Sequence, residues 1–118
     1  MSTLTISNLN DGTTTVATTF VTNGSARAWT NSSSTAIRDS FGISSFTDNG
    51  TGDFSHALTN SFNSADYAMA AAGFSGGSRT VVFDSAATAS DARIHTYLSS
   101  SGGLSDTSST FALFGDLA

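Results

Sequence analysis

The stretch that decides the fold is GSARAWTNSSSTAIRDSFGISSFTDNGTGDF, residues 24–54. Its polar segment from Asp48 to Asp53 holds two glycines between Asp and Asn residues. Glycine adopts positive φ without strain, and Asp and Asn side chains bond their own backbone, so this segment predicts a hairpin turn. Phe54, His56 and Leu58 then return at alternate positions, which is the period of a half-buried strand. The stretch therefore predicts antiparallel β-structure.

Similar short runs continue along the rest of the chain. The predicted strands cover residues 4–6, 14–22, 25–30, 36–43, 54–58, 66–74, 80–83, 92–98 and 111–114. Within residues 66–74, Ala68, Ala70 and Ala72 form a small-residue face suited to a packed sheet pair or a subunit contact. Residues 67–72 also have helix propensity, but flanking glycines and the lack of charged faces favour a strand. The expected fold is all-β, an antiparallel β-sandwich or a jelly-roll-like barrel.

Composition limits the classes of function. The 118 residues predict one domain, and the chain contains no cysteine for a disulfide or a thiolate zinc site. Nine aspartates, no glutamate, four arginines and no lysine give a net charge of −5. Phosphate binding needs clustered positive groups, so we expect no nucleic-acid partner. No apolar run approaches the roughly 20 residues of a membrane span, so we expect a protein that stays soluble, without membrane insertion.

The first residues differ from the rest. Residues 1–23 are rich in threonine, which favours an extended backbone, and contain too few apolar residues for a core. Asn23-Gly24 is a turn dipeptide that separates them from a body over residues 24–118. We interpret 1–23 as an extended docking arm; the alternative is an ordinary first hairpin of the domain. The apolar anchors of the arm are Leu4, Ile6, Leu9, Val16 and Phe20.

Several motifs follow one another over residues 1–73: Met-Ser-Thr-Leu at 1–4, Gly-Ser-Ala-Arg-Ala-Trp at 24–29, Ala-Ile-Arg-Asp-Ser at 36–40, residues 44–54 and Asp66-Tyr67. Their order and spacing resemble a β-rich module of virion proteins from tailed, marine bacteriophages, and the resemblance covers most of residues 1–73. The chain departs from the family at Ser32, where an aromatic residue is usual, and in lacking a proline near residues 60–64.

This resemblance implies a non-enzymatic structural protein of a tailed phage, assembled in the host cytoplasm and located on the virion. We expect a capsid decoration or head-fibre protein, with a tail-fibre or receptor-binding tip as the alternative placement. The expected partners are further copies, as a homotrimer, and other virion proteins, with a host-surface glycan as a further candidate. A carbohydrate-binding module and, behind it, a hydrolase are the alternatives from other classes.

The search for chemistry leaves few candidates, and we predict neither a catalytic residue nor a cofactor or metal site. His56 and His95 could pair with Asp53 or Asp91 as a proton relay, but histidines on strands are more often structural. Oxygens of residues 48, 49, 51 and 53 could bind Ca²⁺, yet the turn interpretation is favoured. Trp29, Tyr67 and Tyr97 are candidate surface-binding residues for a sugar, with burial of Trp29 in the core as the favoured alternative.

Overall fold

Two antiparallel sheets form the body of the protein. A computed structural model describes residues 1–74 and 77–118. One sheet has four strands and the other has five. The predicted all-β sandwich is confirmed, and in the described part of the chain the sheets do not close into a barrel.

The elements follow one another along the chain from an N-terminal hairpin and helix to the strands of the body. They are β1 (Asn8–Asn10), β2 (Thr15–Ala17), α1 (Thr18–Gly24), β3 (Ala28–Ser32), β4 (Ile37–Phe41), β5 (Ile43–Gly50), β6 (Asp53–Leu58), β7 (Ala68–Gly73), β8 (Arg79–Phe83), β9 (Asp91–Leu98), β10 (Gly103–Leu104) and β11 (Ser109–Phe114). The four-stranded sheet has the order β4-β3-β11-β7. In the five-stranded sheet the order is β5-β6-β9-β8, and the short β10 pairs with β9 on the same side as β6. The strand predicted within residues 66–74 is present as β7, so the helical alternative there is wrong.

Alternation places every second side chain of the central strands between the sheets. Strands β6, β9, β3 and β11 each bury alternate residues. In β6 these are Phe54, His56 and Leu58, as the sequence predicts. The buried apolar residues are Ala28, Phe54, Leu58, Phe62, Tyr67, Ala92, Ile94, Phe111 and Leu113. Burial of a large apolar side chain contributes about 1.5–3 kcal/mol, so this small set is the main source of stability of the body.

Buried hydroxyl groups in the same layer have partners. The Ser32 and Ser109 hydroxyls lie 3.3 Å apart across β3 and β11. The Thr96 hydroxyl donates to the Ser105 carbonyl at 2.6 Å. These hydrogen bonds remove the desolvation cost that buried hydroxyls would otherwise impose, and they let a serine- and threonine-rich chain form a sandwich core.

Two glycines are required by close backbone approach. Gly42, with φ of 71°, joins β4 of one sheet directly to β5 of the other, and a Cβ there would lie 2.7 Å from the Arg27 carbonyl oxygen. Gly52, with φ of 65°, closes the β5–β6 hairpin, and its Cβ would lie 2.6 Å from the Thr96 carbonyl oxygen. The predicted hairpin turn at Asp48 to Asp53 is confirmed by this pairing.

Both strands that flank Gly42 are edge strands of their sheets. The β3–β4 pairing shifts register between Asn31 and Ser32. The β5–β6 pairing shifts register twice, between residues 43 and 45 and between residues 48 and 50. The edges formed by β4 and β5 are therefore irregular.

The structure corrects several local expectations. Residues 4–6, predicted as a strand, lie in no strand, and β1 instead covers Asn8–Asn10. The strand predicted over residues 36–43 is divided at Gly42 between the two sheets.

Residues 18–24 form the helix α1, whereas the sequence predicted an extended strand through Thr22. The Thr18 backbone amide donates to the Ser7 carbonyl at 2.8 Å, and Asn23-Gly24 ends the helix instead of forming a turn. Trp29 is 38% exposed and not in the core, because Ala28 and Thr30 take the inward positions of β3.

Candidate functional site

The arm exposes all of the apolar side chains that the sequence marked as anchors. Leu4 and Phe20 are the most exposed, at 81% and 74%. Ile6, Leu9 and Val16 are also exposed, and α1 buries none of its residues. The hairpin of β1 and β2 is a sheet of its own. Within the described chain, the hydrogen bonds of residues 1–24 join arm residues to one another and to Ser25.

Local turn chemistry orders the arm without help from the body. The Asn10 side-chain oxygen accepts from the Gly12 amide at 2.6 Å, and Gly12 has φ of 98°. The Asp11 carboxylate accepts from the Thr14 amide at 2.8 Å and from the Thr13 amide at 2.9 Å. These amides, with Thr14 first, lower the pKa of Asp11. The arm is therefore a preformed hairpin and helix, not a simple extended strand.

Two open hollows lie on this arm. One, of about 450 Å³, is lined by both strands and by Val21 of α1, with the apolar side chains of Leu9 and Val16 in its wall. The other, of about 370 Å³, lies beside Phe20 and the end of α1. A partner that covers the arm would thus bury the apolar side chains that line these shallow regions.

The three candidate surface aromatics do not share one surface. Trp29 lies on the outer face of the four-stranded sheet, whereas Tyr97 lies on the outer face of the other sheet, beside His95. Tyr67 is buried, so its ring is not available to a ligand. The structure therefore separates the three rings that the sequence grouped as a sugar platform.

Tyr67 has a structural role that its sequence position did not reveal. Its ring stacks on Phe62 with centroids 4.3 Å apart, and its hydroxyl donates to the Thr88 and Asp91 carbonyls at 3.0 and 3.1 Å. Burial, with a smaller contribution from the Asp91 charge, raises the pKa of Tyr67 to about 12. Tyr67 closes one end of the core and ties it to the turn before β9.

His56 is a core residue and not part of a proton relay. Its ring lies between Phe46 and Phe111, with centroids 5.2 and 4.8 Å away. The residue is fully buried, and neither ring nitrogen has a hydrogen-bond partner among the described residues. Burial lowers the pKa of His56 to about 4, with the nearby Ala92 backbone opposing part of that shift. The surroundings of His56 support a structural role for this residue.

His95 belongs to an ion-pair network on the outer face of the five-stranded sheet. Its Nε2 lies 3.6 Å from Asp53 and 3.3 Å from Asp84, so the sequence anticipated the first carboxylate and missed the second. Arg93 binds Asp53 through two nitrogens, at 2.8 and 2.5 Å, and also reaches Asp84 at 3.1 Å. The Arg93 hydrogen bond is the main reason that the pKa of Asp53 is lowered, and Asp53 in turn raises the pKa of Arg93.

The chemical capacity of this network is limited. Asp53, Asp84 and His95 place one ligand atom each within 4.8 Å of one another, as a metal site would. The Arg93 guanidinium, however, already bonds both carboxylates and supplies the positive charge. The other ring nitrogen of His95 lies 3.5 Å from the Tyr97 hydroxyl. A catalytic triad would hold its nucleophilic hydroxyl in this position, and here the phenol of Tyr97 occupies it. The arrangement is that of an ion-pair network that joins β6, β8 and β9.

The oxygens of the hairpin at residues 48–53 serve the turn. Asp48 accepts from the Gly50 amide at 2.9 Å, and Asn49 donates to Asp53 at 3.3 Å and to Ser55 at 2.9 Å. Asp53 is bound to Arg93, as described above. These hydrogen bonds support a turn at residues 48–53, and not a set of oxygens that bind Ca²⁺ together.

Comparison with known proteins adds no relative. No protein-family model, no curated protein and no solved structure matches the chain. A separate finding concerns the helix content: no helix in the described residues is long and apolar enough to cross a membrane.

Proposed function

We propose that this protein is a non-enzymatic structural protein of a tailed bacteriophage particle, attached to the capsid as a decoration or head-fibre protein through residues 1–23. The observation that carries the proposal is the arm itself. It is locally ordered by its own turn and helix, yet Leu4, Ile6, Leu9, Val16 and Phe20 are all exposed. The phage assignment rests on the sequence motifs described above.

Energetics favour an arm that is covered in use. Apolar side chains left in water gain roughly 1.5–3 kcal/mol each when a partner buries them fully. Because the hairpin and helix are already formed, docking does not have to order this segment first, and preorganisation increases affinity. An ordered arm with exposed anchors suits attachment to a fixed surface.

The remaining surface supports a structural role over catalysis. His56 occupies a sealed core position, and both carboxylates beside His95 are also bound by Arg93. Arg93 is bound to carboxylates, Arg79 donates to Ser105 and Arg38 lies over the Phe74 ring. Arginines used in this way do not form the clustered positive surface that nucleic acid requires.

Placement on the tail, as a fibre or receptor-binding tip, is the alternative within the same class, and the resemblance favours a homotrimer in either place. Copy number separates the two placements. In purified particles of a phage that carries the gene, quantitative mass spectrometry should give hundreds of copies for a capsid protein and a handful for a tail protein. A protein missing from purified particles would refute the proposal.

Docking by the arm has its own test. A phage whose gene lacks the codons for residues 2–22 should produce a folded body, seen as β-type circular dichroism of the purified variant, that does not enter particles. The double change Leu4→Ser with Phe20→Ser should also reduce incorporation strongly, while the matched polar change Thr13→Ser and the network variant His95→Ala should leave it intact. Normal incorporation of the truncated body would move the docking surface onto the sandwich.

A further inference from the structure

The outer faces of the two sheets differ in polarity. On the four-stranded sheet, Trp29 of β3 and Phe41 of β4 form a cross-strand pair and are 38% and 59% exposed. On the five-stranded sheet, the corresponding face carries the ion-pair network of Asp53, Arg93 and His95. An antiparallel sheet that faces water normally carries polar residues on that side. The apolar outer face of the four-stranded sheet is therefore typical of a surface that another layer covers.

This face has a bulky half and a small half. The rings of Trp29 and Phe41 project from β3 and β4. The same row continues across the sheet with Ala112 of β11 and Ala70 of β7. An open trough of about 480 Å³ lies over the alanines, next to Trp29. Because alanine side chains end at Cβ, the row steps down from two projecting rings to a low floor.

We propose that this face binds the same face of a second copy of the chain, about a two-fold axis that runs between the two copies, along the strands and midway between β3 and β11. Such a contact requires a surface that is complementary to itself. Under this axis β3 lies over β11 of the second copy, and β4 lies over its β7. Trp29 then meets Ala112 of the second copy, and Phe41 meets its Ala70. Each copy supplies one pair of rings and one alanine floor, so both halves pack at once.

Charges on this face meet in opposite pairs under the same axis. Asp39 of β4 is exposed and lies in the row that ends at Ala72 of β7, so it would stand over Ala72 of the second copy. The Arg38 guanidinium lies 5.5 Å from the centroid of the Phe74 ring and donates to the Ser108 hydroxyl at 3.2 Å. Phe74 follows two residues after Ala72. Arg38 of one copy therefore ends beside the place that Asp39 of the other copy would take.

The same geometry keeps like charges apart. The two Asp39 side chains would lie on opposite sides of the contact, three strand spacings or about 14 Å from each other. This distance exceeds the screening length of about 8 Å at physiological ionic strength. The contact thus forms two Arg38–Asp39 ion pairs without bringing the two Asp39 carboxylates together.

The size of the face predicts a weak contact. Its four strands have five or six residues each. Spacings of about 4.8 Å between strands and about 3.3 Å along them give a footprint of about 350 Å² per copy. Interfaces that bury less than about 1,200 Å² in total are weak and transient. We expect a reversible dimer that uses no residue of the arm, as a contact additional to the homotrimer that the resemblance favours.

Sedimentation equilibrium of the full chain from about 1 μM to about 1 mM should show a reversible step from the 12.0 kDa monomer to a dimer. Trp29 is the only tryptophan, so its emission should shift to shorter wavelengths over the same range. Ala70→Gln, which fills the alanine floor, and Phe41→Ser should each raise the dimer Kd at least about tenfold. Val82→Gln, on the outer face of the other sheet, is the matched control and should leave the Kd unchanged. Circular dichroism checks that each variant is folded.

Charge reversal tests the ion pairs. Arg38→Glu and Asp39→Lys should each weaken the dimer about tenfold, because each replaces two attractive contacts by two repulsive ones. The double variant should recover much of this loss. An effect of net charge alone would instead make Asp39→Lys the tighter dimer, since this change reduces the net charge of −5.

A variant of the full chain with Leu4→Ser and Phe20→Ser separates this contact from association through the arm, and it should dimerise as the parent does. Three results would overturn the proposal. The chain could stay monomeric over the whole concentration range, which would leave the face to a different molecule. The arm variant could lose the dimer, or Ala70→Gln and Phe41→Ser could leave it intact. None of these results depends on entry into particles, so they do not test the attachment proposed above.

Discussion

The arm and the sandwich use short apolar runs in opposite ways. In the body, alternation buries Phe54, Ile94 and Leu113 because a second sheet lies against the first. In the arm, Leu9 and Val16 form a cross-strand pair, yet both are exposed because no second sheet among the described residues covers the hairpin. The comparison teaches that a period of two establishes which residues share a face, whereas burial of that face requires another element or another molecule.

Glycines at positive φ in the two regions give the sharpest contrast. Gly52→Val should destabilise the body by at least about 3 kcal/mol, because a Cβ would collide with the Thr96 carbonyl and the Ser105 amide at 2.6 and 2.7 Å in addition to the backbone strain. Gly12→Val, with open space around it, should cost only about 1–2 kcal/mol of local hairpin order. Urea unfolding followed by circular dichroism measures the unfolding free energy of the body in each variant.

Equal unfolding midpoints for the two glycine variants would contradict this contrast. Gly50→Val is an intermediate control, since Gly50 has φ of 135° but a Cβ added there would meet no atom within 4 Å. The unfolding midpoint of Gly50→Val should fall between those of the other two variants, because the valine would strain the backbone without colliding with another atom.

A fall in pH from 7 to 4 should weaken the body. Because the pKa of His56 is about 4 in the folded protein and about 6.5 in the unfolded chain, the unfolded chain binds the extra proton first as the pH falls. Stability is therefore complete above about pH 6.5 and should drop by about 3 kcal/mol as the pH falls to 4. Unfolding free energies measured at several pH values between 7 and 4 test this.

Variants identify the titrating group. His56→Leu should flatten the profile in that window, while the deletion of residues 2–22 should leave it as in the parent protein. A profile that His56→Leu does not change would show that another group controls acid stability.

The ion-pair network should cause a smaller loss of stability than His56, and at a lower pH. The pKa of Asp53 is lowered by Arg93, so this carboxylate stabilises the fold above its unfolded pKa of about 3.8, and that contribution is lost as the pH falls below it. Asp53→Asn should reduce stability at pH 6 by less than the His56 step and should reduce the further loss between pH 4 and 2. A melting temperature at pH 6 equal to that of the parent would refute a stabilising role.

Changes in the arm should have the smallest effect on the body. Phe20→Ser removes a large apolar side chain that is 74% exposed, so the unfolding free energy of the body should change by less than about 0.5 kcal/mol. The buried Phe54→Ser is the matched control and should cost several times more. A comparable loss for both would mean that the arm packs on the body in solution.

The sequence predicted the sandwich because its strands are short, alternating and separated by turn residues, as at Asp48 to Asp53. It predicted the exposed apolar anchors of the arm less directly, because residues 1–23 contain too few apolar residues to form a core. It missed α1, since threonine and valine have weak helix propensity and the helix depends on the contact between Thr18 and Ser7. It also missed Asp84, which reaches Arg93 and His95 because β8 pairs with β9, and long-range pairing leaves no local signal.

The passage of the chain through Gly42 has a consequence for how the protein behaves when crowded. Because one residue joins β4 to β5, both sheets present a free edge on the same side of the sandwich. Regular edges of this kind recruit strands from other molecules and lead to aggregation. Here the register shifts interrupt both edges, and Arg38, Asp39 and Asp48 place charges along them. The edge strands therefore offer a poor template for uncontrolled edge-to-edge pairing between copies held close together.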